Sequence, residues 1–112
     1  MTVLVVLPLR IVSEANSREH WAPKAKRARE QRGATRLVLK ASATPPGPPV
    51  VVTLTRIAPR RLDGDNLQRA CKAVRDGVAD WLGIDDGSEE VTWLYRQEKG
   101  KPRQYAVKVE VT

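Results

Sequence analysis

Several residue types are scarce in this 112-residue sequence. It contains no phenylalanine, one cysteine and one histidine. A single cysteine excludes an intramolecular disulfide framework, favours a reducing cytoplasmic environment, and with one histidine leaves no Cys/His set for structural zinc. Aromatic residues make up only 4% of the chain, so the core must come from Leu, Val, Ile and Ala and is expected to be thin. We expect one domain, 1–112, that is stabilised as a homodimer.

Long hydrophobic runs and common catalytic motifs are also missing. The apolar run Val3–Leu7 is far shorter than the roughly 20 residues of a membrane span and has no basic segment before it, so we predict a strand and no membrane partner. The sequence has no phosphate-binding G-x-x-x-x-G-K-[ST], no H-E-x-x-H and no G-x-S-x-G. We therefore expect neither P-loop, zinc-protease nor serine-hydrolase chemistry, and no organic cofactor.

Charge is the most informative part of the composition. The 20 Lys and Arg outnumber the 13 Asp and Glu, which gives a formal charge of +7 and a pI near 10.1. Lysines and arginines that neutralise phosphates release condensed counterions, so this balance favours a polyanionic partner. Nucleic acid is the expected partner class.

The pattern of apolar residues predicts an α+β domain with the order β-α-β-α-β-β, in which helices pack on a small mixed sheet. Gly33 is a candidate break in the first helix, and Gly83, followed by Ile84, is expected to end the second in a left-handed cap. The predicted elements are a strand over 2–12, a basic helix from Arg18 to about Lys40, a Pro-rich connector over 45–49, a strand over 50–57, a helix over 65–82, and a hairpin of 91–97 with 104–111.

All six aspartates of this basic protein lie between positions 63 and 86. Carboxylates within a positive surface suit a divalent cation placed between them and phosphates, because Mg²⁺ prefers hard oxygen ligands. The pattern therefore suggests metal-assisted phosphodiester hydrolysis. Structural alternatives remain open: a helix N-cap at Asp63 or Asp65, a turn at Asp85-Asp86-Gly87, and a solvated helix face for Asp76, Asp80 and Arg69.

Three segments together resemble the signature of RusA-type Holliday junction resolvases, a family often encoded by phages. They are Arg60-Arg61-Leu62-Asp63-Gly64-Asp65-Asn66-Leu67-Gln68, then Lys72-Ala73-Val74-Arg75-Asp76-Gly77-Val78, and then Ile84-Asp85-Asp86. The family pattern is D-x-D-N, a nearby lysine, and D-D after the helix. The resemblance implies a homodimeric endonuclease, dependent on Mg²⁺ or Mn²⁺, that nicks branched DNA symmetrically at four-way junctions.

The resemblance also assigns residues. It implies Asp63, Asp65 and Asp86 as catalytic metal ligands, with Asp85 a weaker candidate. Lys72 is the favoured positively charged catalytic residue, although Arg69 stands where some members place lysine. The basic residues expected to contact DNA lie in the first helix, in the loop before the acidic motif, at Arg69 and in the last loop: Lys24, Lys26, Arg27, Arg60, Arg61, Arg69, Lys99, Lys101 and Arg103.

One geometric difficulty follows from this assignment. A straight helix over 65–82 would hold its ends roughly 26 Å apart, so Asp65 and Asp86 could not share a metal ion. The helix could end or bend early, with Gly77 the expected place, or the chain could fold back after Gly83, or two subunits could build a composite site. The competing functional interpretations are a non-catalytic DNA-binding or phage regulatory module and, more remotely, a metal-binding protein without DNA.

Overall fold

A computed structural model describes residues 2–12 and 21–112 of the chain. It confirms the predicted α+β class and the mixed sheet with helices packed on it. The elements, in chain order, are β1 (Val3–Leu7), α1 (Trp21–Ser42), β2 (Val50–Ala58), α2 (Gly64–Ala70), α3 (Lys72–Leu82), β3 (Val91–Lys99) and β4 (Ala106–Val111).

The four strands of the sheet lie in the order β1-β4-β2-β3. Strand β4 is antiparallel to both β1 and β2, whereas β3 is parallel to β2. The predicted hairpin between 91–97 and 104–111 is therefore wrong, because β2 lies between these two strands. The reason is the apolar content of β2: a strand with nearly every residue buried belongs in the middle of a sheet, and the alternating β3 tolerates the edge.

The core lies between one face of this sheet and the helices. The inward side chains of the central strands, among them Val52, Leu54 and Val109, are fully buried together with Leu39 of α1 and Val78 of α3. Helix α1 packs along α3. The opposite face of the sheet carries the exposed apolar side chains, Leu4, Val6 and Leu94.

The second predicted helix, 65–82, is not continuous, because it divides at Cys71 into α2 and α3. Cys71 is fully buried with backbone angles φ −83° and ψ −5°, outside the ideal helical range. The break is therefore not at Gly77, which instead allows α3 to approach α1 closely. Leu67 of α2 and Val74 of α3 are both buried in the core, on either side of this division.

The remaining boundaries follow local chemistry. Strand β1 ends at Leu7, short of the predicted 2–12, because Pro8 has no N–H to donate. Helix α1 continues through Gly33 to Ser42, and the predicted start at Arg18 and the lone His20 lie outside the described residues. Gly83 adopts the predicted left-handed cap, with φ 71°, and the Ile84 N–H donates to the Ala79 carbonyl. None of the described helices has the length and apolar character needed to cross a membrane.

Candidate functional site

The turn after Gly83 returns the chain along α3 and places Asp86 beside the first turn of that helix. The Lys72 Nζ lies 3.0 Å from Asp86 Oδ2 and 2.8 Å from Asp76 Oδ1, and the Arg75 Nε lies 3.1 Å from Asp86 Oδ2. The hydrogen bond from Lys72 and the positive charges of Lys72 and Arg75 lower the pKa of Asp86. Hydrogen bonds to Asp76 and Asp86 in turn raise the pKa of Lys72. We call Lys72, Arg75 and Asp86 the acid–base cluster.

Arg75 is the member of this cluster that sequence reasoning did not single out. Its NH2 donates to the Asp86 carbonyl and its NH1 to the Tyr95 hydroxyl, both at 2.8 Å, while its guanidinium lies 4.7 Å from the centre of the Trp93 ring. The Trp93 indole N–H donates to the same Asp86 carbonyl at 2.9 Å. Residues three apart share a helix face, so the spacing of Lys72 and Arg75 was the available signal.

Strand β3 contacts both the segment before the D-x-D pair and the turn that contains Asp86. Trp93, Tyr95 and Gln97 alternate along β3 on its half-buried, helix-facing side. Gln97 exchanges two hydrogen bonds with the Leu62 backbone, accepting from its N–H at 2.8 Å and donating to its carbonyl at 2.7 Å. Gln97 thus holds Leu62, the residue before Asp63, and Trp93 holds the backbone of Asp86. Gln97 and Trp93 are about 13 Å apart along β3.

The two acids of the D-x-D pair have different surroundings. Asp63 is the N-cap of α2, where its Oδ1 accepts from the Asn66 N–H at 3.0 Å, so the capping role considered for it is confirmed. Asp65 is exposed in the first turn of α2, with no hydrogen bond or ion pair to any described residue. Asp85 closes a turn by accepting from the Gly87 N–H at 2.9 Å.

Carboxylate oxygens of this kind suit Mg²⁺, which is commonly held by one or two carboxylates and completed by water and phosphate. The donor chemistry of Asp63 and Asp65 therefore fits this ion. Within 2–12 and 21–112, however, no group of three or more His, Cys, Asp or Glu side chains is placed to hold a metal. A single chain thus does not gather Asp63, Asp65 and Asp86 into one metal site.

A groove with a basic rim runs between α1 and the α2–α3 pair. Four alanines, two from α1 and one each from α2 and α3, are part of its lining, and its volume is about 400 Å³. We call it the basic groove, because five cations and one carboxylate line it. They are the predicted DNA contacts Lys24 and Arg69, together with Arg29, Arg32, Lys72 and Asp76. Lys72 therefore belongs both to this groove and to the acid–base cluster.

The other predicted DNA contacts lie outside the groove lining. Arg60 and Arg61 are exposed just before α2, and Lys99, Lys101 and Arg103 are exposed at the end of β3 and in the loop after it. The Gly100 N–H donates to the Ala58 carbonyl at 2.8 Å, which brings that loop beside the end of β2. On α1, Lys26 is exposed and lies 3.8 Å from Glu30, and Arg27 is half-buried.

Three further side chains have structural roles. The Arg32 Nε and NH2 donate to the two Asp80 oxygens at 2.6 and 2.8 Å, which joins α1 to α3 and lowers the pKa of Asp80. Cys71 is buried, and burial raises the pKa of its thiol to about 12, which disfavours the thiolate that a nucleophile requires. Trp81 is buried and donates to the Ala43 carbonyl at 3.2 Å.

No protein-family model and no curated protein matches this sequence.

Proposed function

We propose that the protein is a structure-selective endodeoxyribonuclease that resolves Holliday junctions by metal-dependent hydrolysis, with paired symmetric nicks. The observation that carries this proposal is the acid–base cluster. Asp86 is the second acid of the D-D pair. It forms ion pairs with Lys72 and Arg75, which lie between the D-x-D-N segment and that pair. A carboxylate beside fixed cations at the edge of a basic groove suits the hydrolysis of a phosphodiester.

The cluster also favours Lys72 over Arg69 as the basic catalytic residue. Lys72 contacts Asp86, whereas Arg69 is exposed on the groove rim and forms no ion pair with a described carboxylate. In this proposal Lys72 stabilises the charge that develops on the phosphate, and Arg69 holds the DNA backbone. Lys72 lies about one helical turn after Arg69, the position where some members of the family place lysine, and its contact with Asp86 supports this assignment.

Asp63 and Asp65 are proposed to hold Mg²⁺ or Mn²⁺ together with Asp86 of a second subunit, because a single chain does not gather the three. Asp85 is a weaker candidate. When bound, the metal ion supplies Lewis-acid polarisation of the phosphodiester. The exposed Asp65 is available to such an ion, and Asp63 keeps its Oδ2 outside the capping hydrogen bond. The basic groove and the loops at 60–61 and 99–103 would hold junction arms through sequence-neutral backbone contacts.

Cleavage of a labelled four-way DNA junction tests this function. The protein is incubated with the junction or with linear duplex, in Mg²⁺ or EDTA, beside Asp65→Asn protein. We expect paired nicks in the junction alone, dependent on Mg²⁺ and absent from the variant, because the substitution removes a ligand charge from an exposed site. Glu110→Gln, which removes a carboxylate from the opposite face of the sheet, is the matched control and should nick normally.

The second candidate is a DNA-binding module without catalysis. It is favoured by the absence of a three-carboxylate metal group among the described residues and by the structural roles of Asp63 and Asp85. Tight, salt-dependent junction binding without nicks in any divalent metal would support this candidate and contradict the nuclease.

A further inference from the structure

Three arginines converge on a small cavity at the end of β2, separate from the acid–base cluster. The cavity has a volume of about 240 Å³. Arg10, Arg56 and Arg60 line it with the Tyr105 ring, and Val12, Pro59 and Leu62 complete its wall. Among the residues that the structure describes, no carboxylate is part of this lining. We call it the arginine cavity.

Arg56 is the unusual member because it is only 6% exposed. Its Nε donates to the Ile11 carbonyl at 3.2 Å and its NH1 to the Arg60 carbonyl at 2.6 Å. These bonds fix the plane of the guanidinium, but they leave NH2 without a described hydrogen bond and the charge without a described ion pair. A buried charge without a counterion is costly, so a bound anion would stabilise this arrangement.

Arg10 and Arg60 make the electrostatic potential around Arg56 more positive. The Arg10 guanidinium lies 4.3 Å from the centre of the Tyr105 ring, and neither Arg10 nor Arg60 forms an ion pair with a described carboxylate. Burial lowers the pKa of Arg56, and the positive charge of Arg10 lowers it further. Cations held together without an acidic partner are typical of a site that binds an anion.

We propose that the arginine cavity binds a phosphate group. Guanidinium groups match the tetrahedral oxygens of phosphate with paired hydrogen bonds, and a fixed, buried arginine loses little conformational entropy on binding. The cavity wall includes Leu62, which directly precedes Asp63 and is held by Gln97. The bound group is therefore a backbone phosphate of the DNA strand that enters the candidate active site. This identity rests on the proposed function, whereas anion binding itself does not.

Titration with inorganic phosphate tests the anion site without any requirement for nuclease activity. The readouts are the NMR signals of the Arg56 Nε–H and of the Tyr105 ring. The test variant is Arg10→Gln with Arg60→Gln, both exposed positions that leave the buried Arg56 in place. Arg96→Gln, an exposed arginine on the outer side of β3, is the matched control.

We expect saturable shifts in the wild type and in Arg96→Gln, and at least about tenfold weaker phosphate binding in the double variant, since charge-assisted hydrogen bonds are lost. Equal phosphate binding by the double variant and the control would overturn the site. Shifts that grow linearly with phosphate in every protein, without saturation, would overturn it as well.

Binding to the four-way junction at several salt concentrations identifies the source of the phosphate. If the phosphate belongs to DNA, the double variant binds the junction more weakly than Arg96→Gln does. The slope of its log binding constant against log salt concentration is then shallower by about one for each lost contact. Saturable phosphate binding with unchanged junction binding would overturn the DNA assignment and identify free phosphate as the ligand. If the wild type binds phosphate and the junction as expected but does not nick the junction in Mg²⁺ or Mn²⁺, the proposed function alone is contradicted.

Discussion

At the scale of single residues, Arg75 and Tyr95 hold Asp86 in place. Tyr95→Phe keeps the ring and removes only the hydroxyl that accepts from Arg75 NH1 at 2.8 Å. We expect junction nicking to fall about tenfold with unchanged junction binding, and the free energy of unfolding to fall by about 1 kcal/mol. Single-turnover nicking, binding titrations and denaturant unfolding measure these effects.

The control for this prediction is Thr92→Ala, an exposed position on the outer side of the same strand. It should leave nicking unchanged. A Tyr95→Phe protein that nicks at the wild-type rate would show that Arg75 does not position Asp86. Equal losses of nicking and junction binding would indicate a general disturbance of the fold instead.

The sequence identified some of these residues and missed others for a physical reason. Asp86 and Lys72 could be selected because carboxylates and a lysine in a recurring pattern indicate chemistry without any knowledge of the fold. The spacing of Arg75 from Lys72 was its only sequence signal. Tyr95 had none, because its role depends on β3 pairing in parallel with β2, which places Tyr95 opposite Leu54 and beneath α3. The capping role of Asp63 needed only local sequence, so it could be anticipated.

At the scale of elements, the packing of α1 on α3 depends on Gly77. A Cβ at this position would lie 2.6 Å from the Arg32 carbonyl oxygen and 2.7 Å from the Thr35 Cβ. Gly77→Ala should therefore force the helices apart and destabilise the fold by about 1–3 kcal/mol, more than the gain in helix propensity. Gly33→Ala is the matched control: it lies inside α1 with nothing within 4 Å and should stabilise by about 0.5–1 kcal/mol. Denaturant unfolding measures both, and a stabilised Gly77→Ala protein would contradict the close approach.

Strong periodicity made most elements predictable, but it did not determine their pairing. The alternating residues of 91–97 fit either a hairpin or an edge strand, and only the burial of β2 on both sides places it between β3 and β4. Similarly, the apolar stripe of 65–82 continues through Cys71 without a sequence signal such as proline. The break there depends on how α2 and α3 each fit the core, which is tertiary information.

At the scale of the whole molecule, acidic and basic residues are segregated. The six aspartates occupy α2, α3 and the adjoining turns, while α1 and the loops at 60–61 and 99–103 carry much of the excess positive charge. Under the proposed function, the positive groove and loops would attract the phosphates of DNA, and a divalent cation would lie between those phosphates and the aspartates. Because Asp63 and Asp65 do not form a metal group with Asp86 in one chain, the proposed site is a composite dimer site, which is testable.

Mixed dimers distinguish a composite site from one built within a subunit. Asp65→Asn and Asp86→Asn proteins should each be inactive alone. If the site is composite, a heterodimer retains one site with both carboxylates, so an equal mixture should recover about a quarter of wild-type nicking, as single nicks and not pairs. Mixing Asp65→Asn with Asp63→Asn is the control, since every site then lacks a D-x-D acid and no activity should return. Because a site within one subunit would leave every heterodimer site defective, inactivity of the first mixture would reject the composite arrangement.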